Sequence, residues 1–377
     1  MVSTDALYFA VGKYGLDGGV MITASHNPAN YNGMKFTGKQ ARGISLGTGL
    51  AAIRDRIVSG NLPEAAVAPG SISHKDILED FAQHCLSFIN VENINPFRIA
   101  IDAGNGMAGL TVPYVFKHLP CQVVPLYFEL DGTFPNHPAS PIEAENLRDL
   151  QTAVLQNNCQ LGVAFDGDAD RMFIVDEKAN LIGGDIVTAL ITINVLECHP
   201  GARILYNLIC SRCVSEVIKN HGGIAHRSPV GHSLIKKLMR DEDITFGGEH
   251  SGHYYFKDNW YADSGMIALL QCLAAFSRSQ SSVSQVIAPL DTRFRSGEIN
   301  NQVHDTAVKL KQIEAYYRYG DAEIDYLDGL TIQYPTWWLN VRASNTEPML
   351  RLNVEADSEA LMWHHRDEAL GLIRNQA

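Results

Sequence analysis

Gly18-Gly-Val-Met-Ile-Thr-Ala-Ser-His-Asn-Pro-Ala-Asn-Tyr-Asn-Gly-Met-Lys35 is the stretch on which the reading of the chain turns. Val20 to Ile22 is an apolar run that reads as a short buried strand. It breaks into Thr23-Ala-Ser-His-Asn-Pro28, where nearly every residue is small, polar or turn-forming. A strand end that delivers a hydroxyl beside a histidine and ahead of a lysine is a place for chemistry. Ser25 is the candidate nucleophile or phosphate carrier, His26 its neighbour and Lys35 a following cation. Asn-Pro and Asn-Gly are also ordinary turn dipeptides, so this stretch alone leaves a plain surface turn open. A buried strand needs neighbours, and nothing ahead of it supplies them.

The next chemistry-bearing loop is Leu161-Gly-Val-Ala-Phe-Asp-Gly-Asp-Ala-Asp-Arg171, followed by the apolar run Met172 to Val175. Asp166, Asp168 and Asp170 alternate in a turn between two strand patterns. Three such carboxylates repel one another, and Arg171 alone does not balance them, so a cation is implied. Glu177 stands where an EF-hand needs its last ligand, but Arg171 occupies the position that needs glycine and the flanks alternate like strands. Oxygen ligands for Mg²⁺ fit best, and an Asp166 nucleophile of a D-x-D phosphatase stays open.

Two further loops are polar beyond what a turn requires. Gly247-Gly-Glu-His-Ser-Gly-His-Tyr-Tyr-Phe256 follows a short strand pattern. Glu249 and Ser251 suit sugar hydroxyls, and His253 can move a proton near neutral pH. A zinc site on His250 and His253 lacks a third ligand. Arg342-Ala-Ser-Asn-Thr-Glu-Pro348 joins two strand patterns, with Arg342, Ser344, Asn345 and Thr346 suited to a phosphate. Arg227 to Lys237 puts a turn holding His232 before a helix that bears Lys236 and Lys237.

The remaining signals are weaker. Strand-like Arg98 to Asp102 leads into Gly104-Asn-Gly-Met-Ala-Gly109, a G-x-G-x-x-G that opens a dinucleotide reading, or else only a tight turn into a helix. Cys210-Ser-Arg-Cys213 starts a helical pattern and reads as core packing rather than redox chemistry. The chain has 377 residues, 46% apolar and 19% charged, which describes several globular domains with ample core. A formal net charge of −12 argues against a nucleic-acid partner. No targeting segment or run long enough to span a bilayer is visible, and seven cysteines without regular spacing suit a reducing cytoplasm.

Taken together, the serine, triple-aspartate, Glu-x-Ser-Gly-His and Arg/Ser/Asn/Thr loops, in this order, resemble the α-D-phosphohexomutases. The resemblance runs along essentially the whole chain and is strongest to the bacterial phosphomannomutase branch. It implies an α/β fold: successive phosphohexomutase-type α/β domains, the first truncated, then a small α+β domain. The expected divisions are 1–72, 73–180, 181–291 and 292–377, and the G-x-G-x-x-G becomes a turn of the second domain. The resemblance also implies the roles. Ser25 carries a phosphoryl group, and the aspartates hold Mg²⁺ together with an oxygen of that phosphate. Lys35 and His253 exchange the hydroxyl proton, while His26 and Arg171 steady the phosphate. Glu249 and Ser251 hold the 3- and 4-hydroxyls, His232 lines the sugar site, and Arg342, Ser344, Asn345 and Thr346 grip the unreactive phosphate. The implied partners are small hexose phosphates, with a hexose 1,6-bisphosphate as intermediate and activator. Family members begin well upstream of the serine loop. The chain is therefore expected to be N-terminally incomplete, with exposed strand edges, poor solubility and weak or no turnover, an inactive sugar-phosphate-binding relative being the alternative.

Overall fold

The computed structural model describes residues 1–64, 67–344 and 348–375. The first helix, Thr4–Lys13, buries Ala6, Tyr8, Phe9 and Val11. Behind it lies a three-stranded antiparallel sheet of Gly18–Ile22, Met34–Gly38 and Arg42–Gly43. A Cβ on Gly19 would lie 2.7 Å from the Leu7 side chain, so the glycine lets the helix approach the strand closely. The opposite face does not match the expected buried strand. Val20 is 48% exposed and Ile22 59% exposed. The helix covers one face of this sheet, so only alternate residues of Gly18–Ile22 meet it while Val20 and Ile22 face away.

The next two α/β units share one sheet topology. In one, Gln122–Leu126, Arg98–Asp102 and Leu161–Phe165 run parallel, and Met172–Asp176 and Leu181–Ile182 return antiparallel. In the other, Ile224–Ser228, Arg203–Asn207 and Phe246–Gly248 run parallel, and Tyr254–Phe256 and Ala262–Asp263 return. Leu161–Phe165 and Met172–Asp176 are buried at every position, which explains their continuous apolar reading. Helices Gly184–Cys198 and Gly265–Ser277 are apolar nearly all round because they pack between the units in one continuous core.

The G-x-G-x-x-G turn serves packing. Gly104 and Asn105 have φ of +50° and +57°, and a Cβ on Gly109 would lie 2.2 Å from Phe128 O. The helix after it starts at Ala108, once this close approach lets the chain turn. Cys210 and Cys213 are buried free thiols, as packing predicts. The last unit is a six-stranded antiparallel sheet with its own core, backed by Thr306–Tyr317 and Glu359–Arg374. Among the described residues, no helix is long and apolar enough to cross a membrane.

One rule places the site. Three loops singled out in the sequence link a strand to its antiparallel neighbour: 23–33, 166–171 and 249–253. A hairpin turn sets its polar residues at the sheet end, where neighbouring units meet.

Candidate active site

Ser25 occupies left-handed backbone, with φ of +56°, a costly conformation for a residue with a Cβ. It is held there locally. The Thr23 hydroxyl accepts from Ser25 N at 2.8 Å, and Asn27 N and Nδ2 both donate to Ala24 O. The turn aims Ser25 Oγ at the aspartate loop, 3.2 Å from Asp166 Oδ2 and 3.1 Å from Asp168 Oδ1. His26 Nδ1 lies 3.3 Å from the same hydroxyl. Burial and the Arg171 charge hold His26 below its ordinary pKa despite the nearby aspartates.

The aspartates converge as expected: one oxygen from each of Asp166, Asp168 and Asp170 lies within 4.8 Å of the others. Lys35 Nζ sits 2.7 Å from Asp168 and 2.6 Å from Asp170. Burial disfavours the charged lysine, but the two carboxylates more than compensate and raise its pKa. Asp168 also accepts from the Thr4 and Thr23 hydroxyls, and its pKa falls although burial works against this. Asp166 is fully buried and accepts from Arg171 N and Nε, at 3.1 and 2.9 Å. Its pKa is raised, chiefly by burial, against the pull of Arg171.

Two orphaned atoms test whether the loop fits a dication and a phosphate. Asp170 Oδ1 and Arg171 Nη2 are both buried without a hydrogen-bond partner. Such groups cost free energy unless something arrives to pair them. A hard-oxygen dication suits the first and a phosphate oxygen the second. The donor set therefore fits Mg²⁺, which Asp166, Asp168 and Asp170 would hold.

The sugar-loop residues gather beside this cluster. Met172 N donates to Gly252 O at 3.2 Å, tying the two loops together. His253 Nδ1 lies 2.8 Å from Asp263 Oδ2 and 3.9 Å from Asp170 Oδ1. Burial pulls the His253 pKa down, but the Asp263 hydrogen bond and the charges of Asp170 and Asp263 raise it overall. His232 stacks on His253, with ring centroids 6.0 Å apart. Although His232 keeps an exposed edge, crowding pushes its pKa down to about 4, and Lys236 and His253 add to the effect. Glu249 is buried and accepts from Tyr255 Oη at 2.5 Å and Asn207 Nδ2 at 3.2 Å. Ser251 lies in the same turn and is half-buried.

In the last unit, Arg342 is buried and paired with Glu298, which also meets Arg351 at 3.5 Å. The charges of Glu298 and Arg342 reach His250, so this turn adjoins the sugar loop. Ser344 N donates to Met349 O at 2.9 Å and opens the turn, while Asn345 and Thr346 lie outside the described residues.

The arrangement matches known proteins along almost all its length. Models of the phosphoglucomutase/phosphomannomutase α/β/α domains I, II and III match residues 1–61, 78–183 and 183–293, and the C-terminal domain model matches 298–370. The chain belongs to the phosphoglucomutase/phosphomannomutase family. A phosphomannomutase of Salmonella typhimurium is 36% identical over 383 residues, covering 100% of this chain and 84% of that protein. One from Methanocaldococcus jannaschii is 37% identical, covering 99% and 82%. The crystal structure of a phosphoglucomutase/phosphomannomutase family protein from Burkholderia thailandensis superposes with a TM-score of 0.89 at 31% identity, covering 100% of this chain and 82% of that one. As a phosphohexomutase this chain is an isomerase, with the α/β multi-domain fold that its sequence implies.

Sequence reasoning missed several groups that hold this phosphohexomutase site together. Asp263 orients His253, and Lys236 Nζ holds the other Asp263 oxygen at 2.5 Å. Thr4 reaches Asp168, and the Ser264 hydroxyl donates to Asp5 at 2.6 Å. Asp263-Ser264 precedes an apolar helical run as an N-cap would, and Ser264 does accept from Ile267 N. That signal finds the cap, but nothing local points Asp263 at a histidine ten residues earlier.

Proposed function

We propose that the chain interconverts mannose 6-phosphate and mannose 1-phosphate, with the glucose phosphates as a second pair, through phospho-Ser25 and a hexose 1,6-bisphosphate. The observation that carries this reading is the strained Ser25 hydroxyl, aimed between Asp166 and Asp168 with Arg171 Nη2 unpaired beside them. The Glu-His-Ser-Gly-His form of the sugar loop and relatives named phosphomannomutase support mannose. An Asp166 nucleophile is disfavoured, because its carboxylate is buried and already accepts from Arg171 and Ser25.

In the proposed cycle a free sugar hydroxyl attacks the phosphorus on Ser25. The new sugar O–P bond forms, the serine O–P bond breaks, and the hydroxyl proton passes to a group of the Lys35/His253 pair. The bisphosphate turns over in the cleft. The freed Ser25 oxygen attacks its other phosphorus, and the held proton goes to the departing sugar oxygen. Mg²⁺ held by Asp166, Asp168 and Asp170 supplies neutralisation of charge on the transferring phosphoryl oxygens. Asp263 fixes the His253 tautomer by accepting from Nδ1, which leaves Nε2 for proton exchange. His26 and Arg171 steady the phosphate, Glu249, Ser251 and His232 hold the sugar, and Arg342 with Ser344 to Thr346 grips the distal phosphate.

The test uses glucose 1,6-bisphosphate with Mg²⁺, followed by mass spectrometry of the tryptic peptide Tyr14–Lys35. One added phosphoryl group is expected, lost in Ser25→Ala, together with turnover of mannose 1-phosphate. Label on Asp166, or none on Ser25, overturns the reading.

A further inference from the structure

The last helix carries a second group of potential ligands outside the aspartate and sugar loops. Nitrogens of His364 and His365 and a Glu368 oxygen lie within 4.8 Å of one another. We propose that these three residues form a binding site for a borderline transition-metal dication, Zn²⁺ foremost, with water completing the coordination.

Four features resemble a built site rather than a chance cluster. First, His365 Nδ1 and Glu368 Oε2 are 3.3 Å apart, at the weak end for a hydrogen bond. Two ligands bound tetrahedrally at zinc distances are themselves separated by about 3.4 Å. Second, the His365 ring is locked, stacked on Trp337 with centroids 3.6 Å apart and planes 14° from parallel. Third, Glu368 is oriented from behind, because Tyr316 Oη donates to its other oxygen at 2.8 Å. Such outer partners fix metal ligands in known sites. Fourth, His364 sits one helical turn before Glu368, with its ring 4.9 Å from that of His365, and is exposed, so it can swing in as third ligand.

The donor set selects the metal. Two imidazoles and one carboxylate suit Zn²⁺, Ni²⁺ or Cu²⁺, whereas Mg²⁺ prefers all-oxygen sites. Bound there, Zn²⁺ would tie helix Glu359–Arg374 to helix Thr306–Tyr317 through Tyr316 and to the sheet through the His365–Trp337 stack. It would strengthen the last unit without entering the mutase chemistry.

The experiment measures Zn²⁺ binding to the full chain by equilibrium dialysis with metal analysis, in excess Mg²⁺ to occupy the aspartate loop. Co²⁺ is substituted in parallel to read imidazole ligation from its visible absorption. His364→Ala alters an exposed ring and keeps the fold. It and Glu368→Gln are expected to weaken Zn²⁺ binding more than about tenfold, and Tyr316→Phe by roughly tenfold. Asp168→Asn should keep both the Zn²⁺ site and the Co²⁺ spectrum, and His364→Ala should keep Mg²⁺-dependent mutase turnover. A wild-type chain that binds no Zn²⁺ under these conditions overturns the proposal. So does a His364→Ala variant whose Zn²⁺ affinity and Co²⁺ spectrum match wild type.

Discussion

The Asp263 carboxylate is shared between a histidine and a lysine, with His253 Nδ1 at 2.8 Å from one oxygen and Lys236 Nζ at 2.5 Å from the other. Burial alone would hold His253 neutral, and Asp263 is first among the groups that reverse this. Asp263→Asn removes that charge, so the His253 pKa falls and its protonated fraction near neutral pH falls with it. The limb of the kcat/KM profile set by His253 should move to lower pH, with turnover down about a hundredfold. A pH–rate profile checks this, alongside circular dichroism, because Lys236 is left buried without its partner. An unmoved limb in a folded variant would contradict the assignment.

Asp168 is the most heavily engaged member of the aspartate loop, accepting from Lys35, Thr4, Thr23 and Ser25. Asp168→Asn weakens the loop's hold on a dication and releases one anchor of Lys35. Metal neutralisation of a transferring phosphoryl group is worth several kcal/mol, so phosphorylation of Ser25 should slow by about a hundredfold or more. Titrating Mg²⁺ should show a raised activation constant. An unchanged constant would move the metal elsewhere.

Much of this was legible in the sequence, for physical reasons. Leu161 to Phe165 and Met172 to Val175 are buried on both faces, so their apolar runs announce strands directly. The serine, aspartate and Glu249 loops stand out because polar clusters at strand ends have little structural excuse. Val20 and Ile22 misled, because an apolar run cannot say whether both its faces will be covered. Thr4, Asp5 and Ser264 escaped because they act only when the first helix packs against the second and third units, and Asp263 because it meets His253 only once two strands of the third unit pair. Contacts between residues more than 250 positions apart, such as Asp5 with Ser264, leave no local pattern.

Asp5 offers a stability test of that packing. It is fully buried, accepting from Ser3 and Ser264, and burial pushes its pKa up to about 7, although both hydroxyls oppose this. The folded chain thus binds a proton that the unfolded chain has released above about pH 4. Stability tied to this group is complete in acid and lost as pH rises towards 7, an effect of roughly 4 kcal/mol at most. Asp5→Asn keeps an acceptor and removes the titration. Its melting temperature should exceed wild type at pH 8, with the gap closing towards pH 4. Parallel stability–pH curves for the two chains would refute a buried, titrating Asp5.

Gly167 separates the two loops that the chemistry must bring together. A Cβ there would lie 2.4 Å from Ser25 O, far inside contact distance and against backbone that cannot rotate away. The residue cannot retreat either, because its carbonyl accepts from Met107 N at 2.9 Å and a Cβ on Gly106 would meet that carbonyl at 2.6 Å. Gly167→Ala must therefore displace the strained serine turn, which rests on short local hydrogen bonds, rather than the aspartate loop, which is fixed by buried strands. Overpacking of this kind costs about 1–3 kcal/mol, leaving a folded chain. The chemistry should suffer more, since misplacing reacting groups by about 1 Å costs on the order of a hundredfold in rate. Phosphorylation of Ser25 by glucose 1,6-bisphosphate should slow by that factor while Mg²⁺ binding to Asp166, Asp168 and Asp170 persists. Wild-type phosphorylation in Gly167→Ala would mean that the serine turn tolerates displacement, and that its approach to Asp166 and Asp168 does not set the rate.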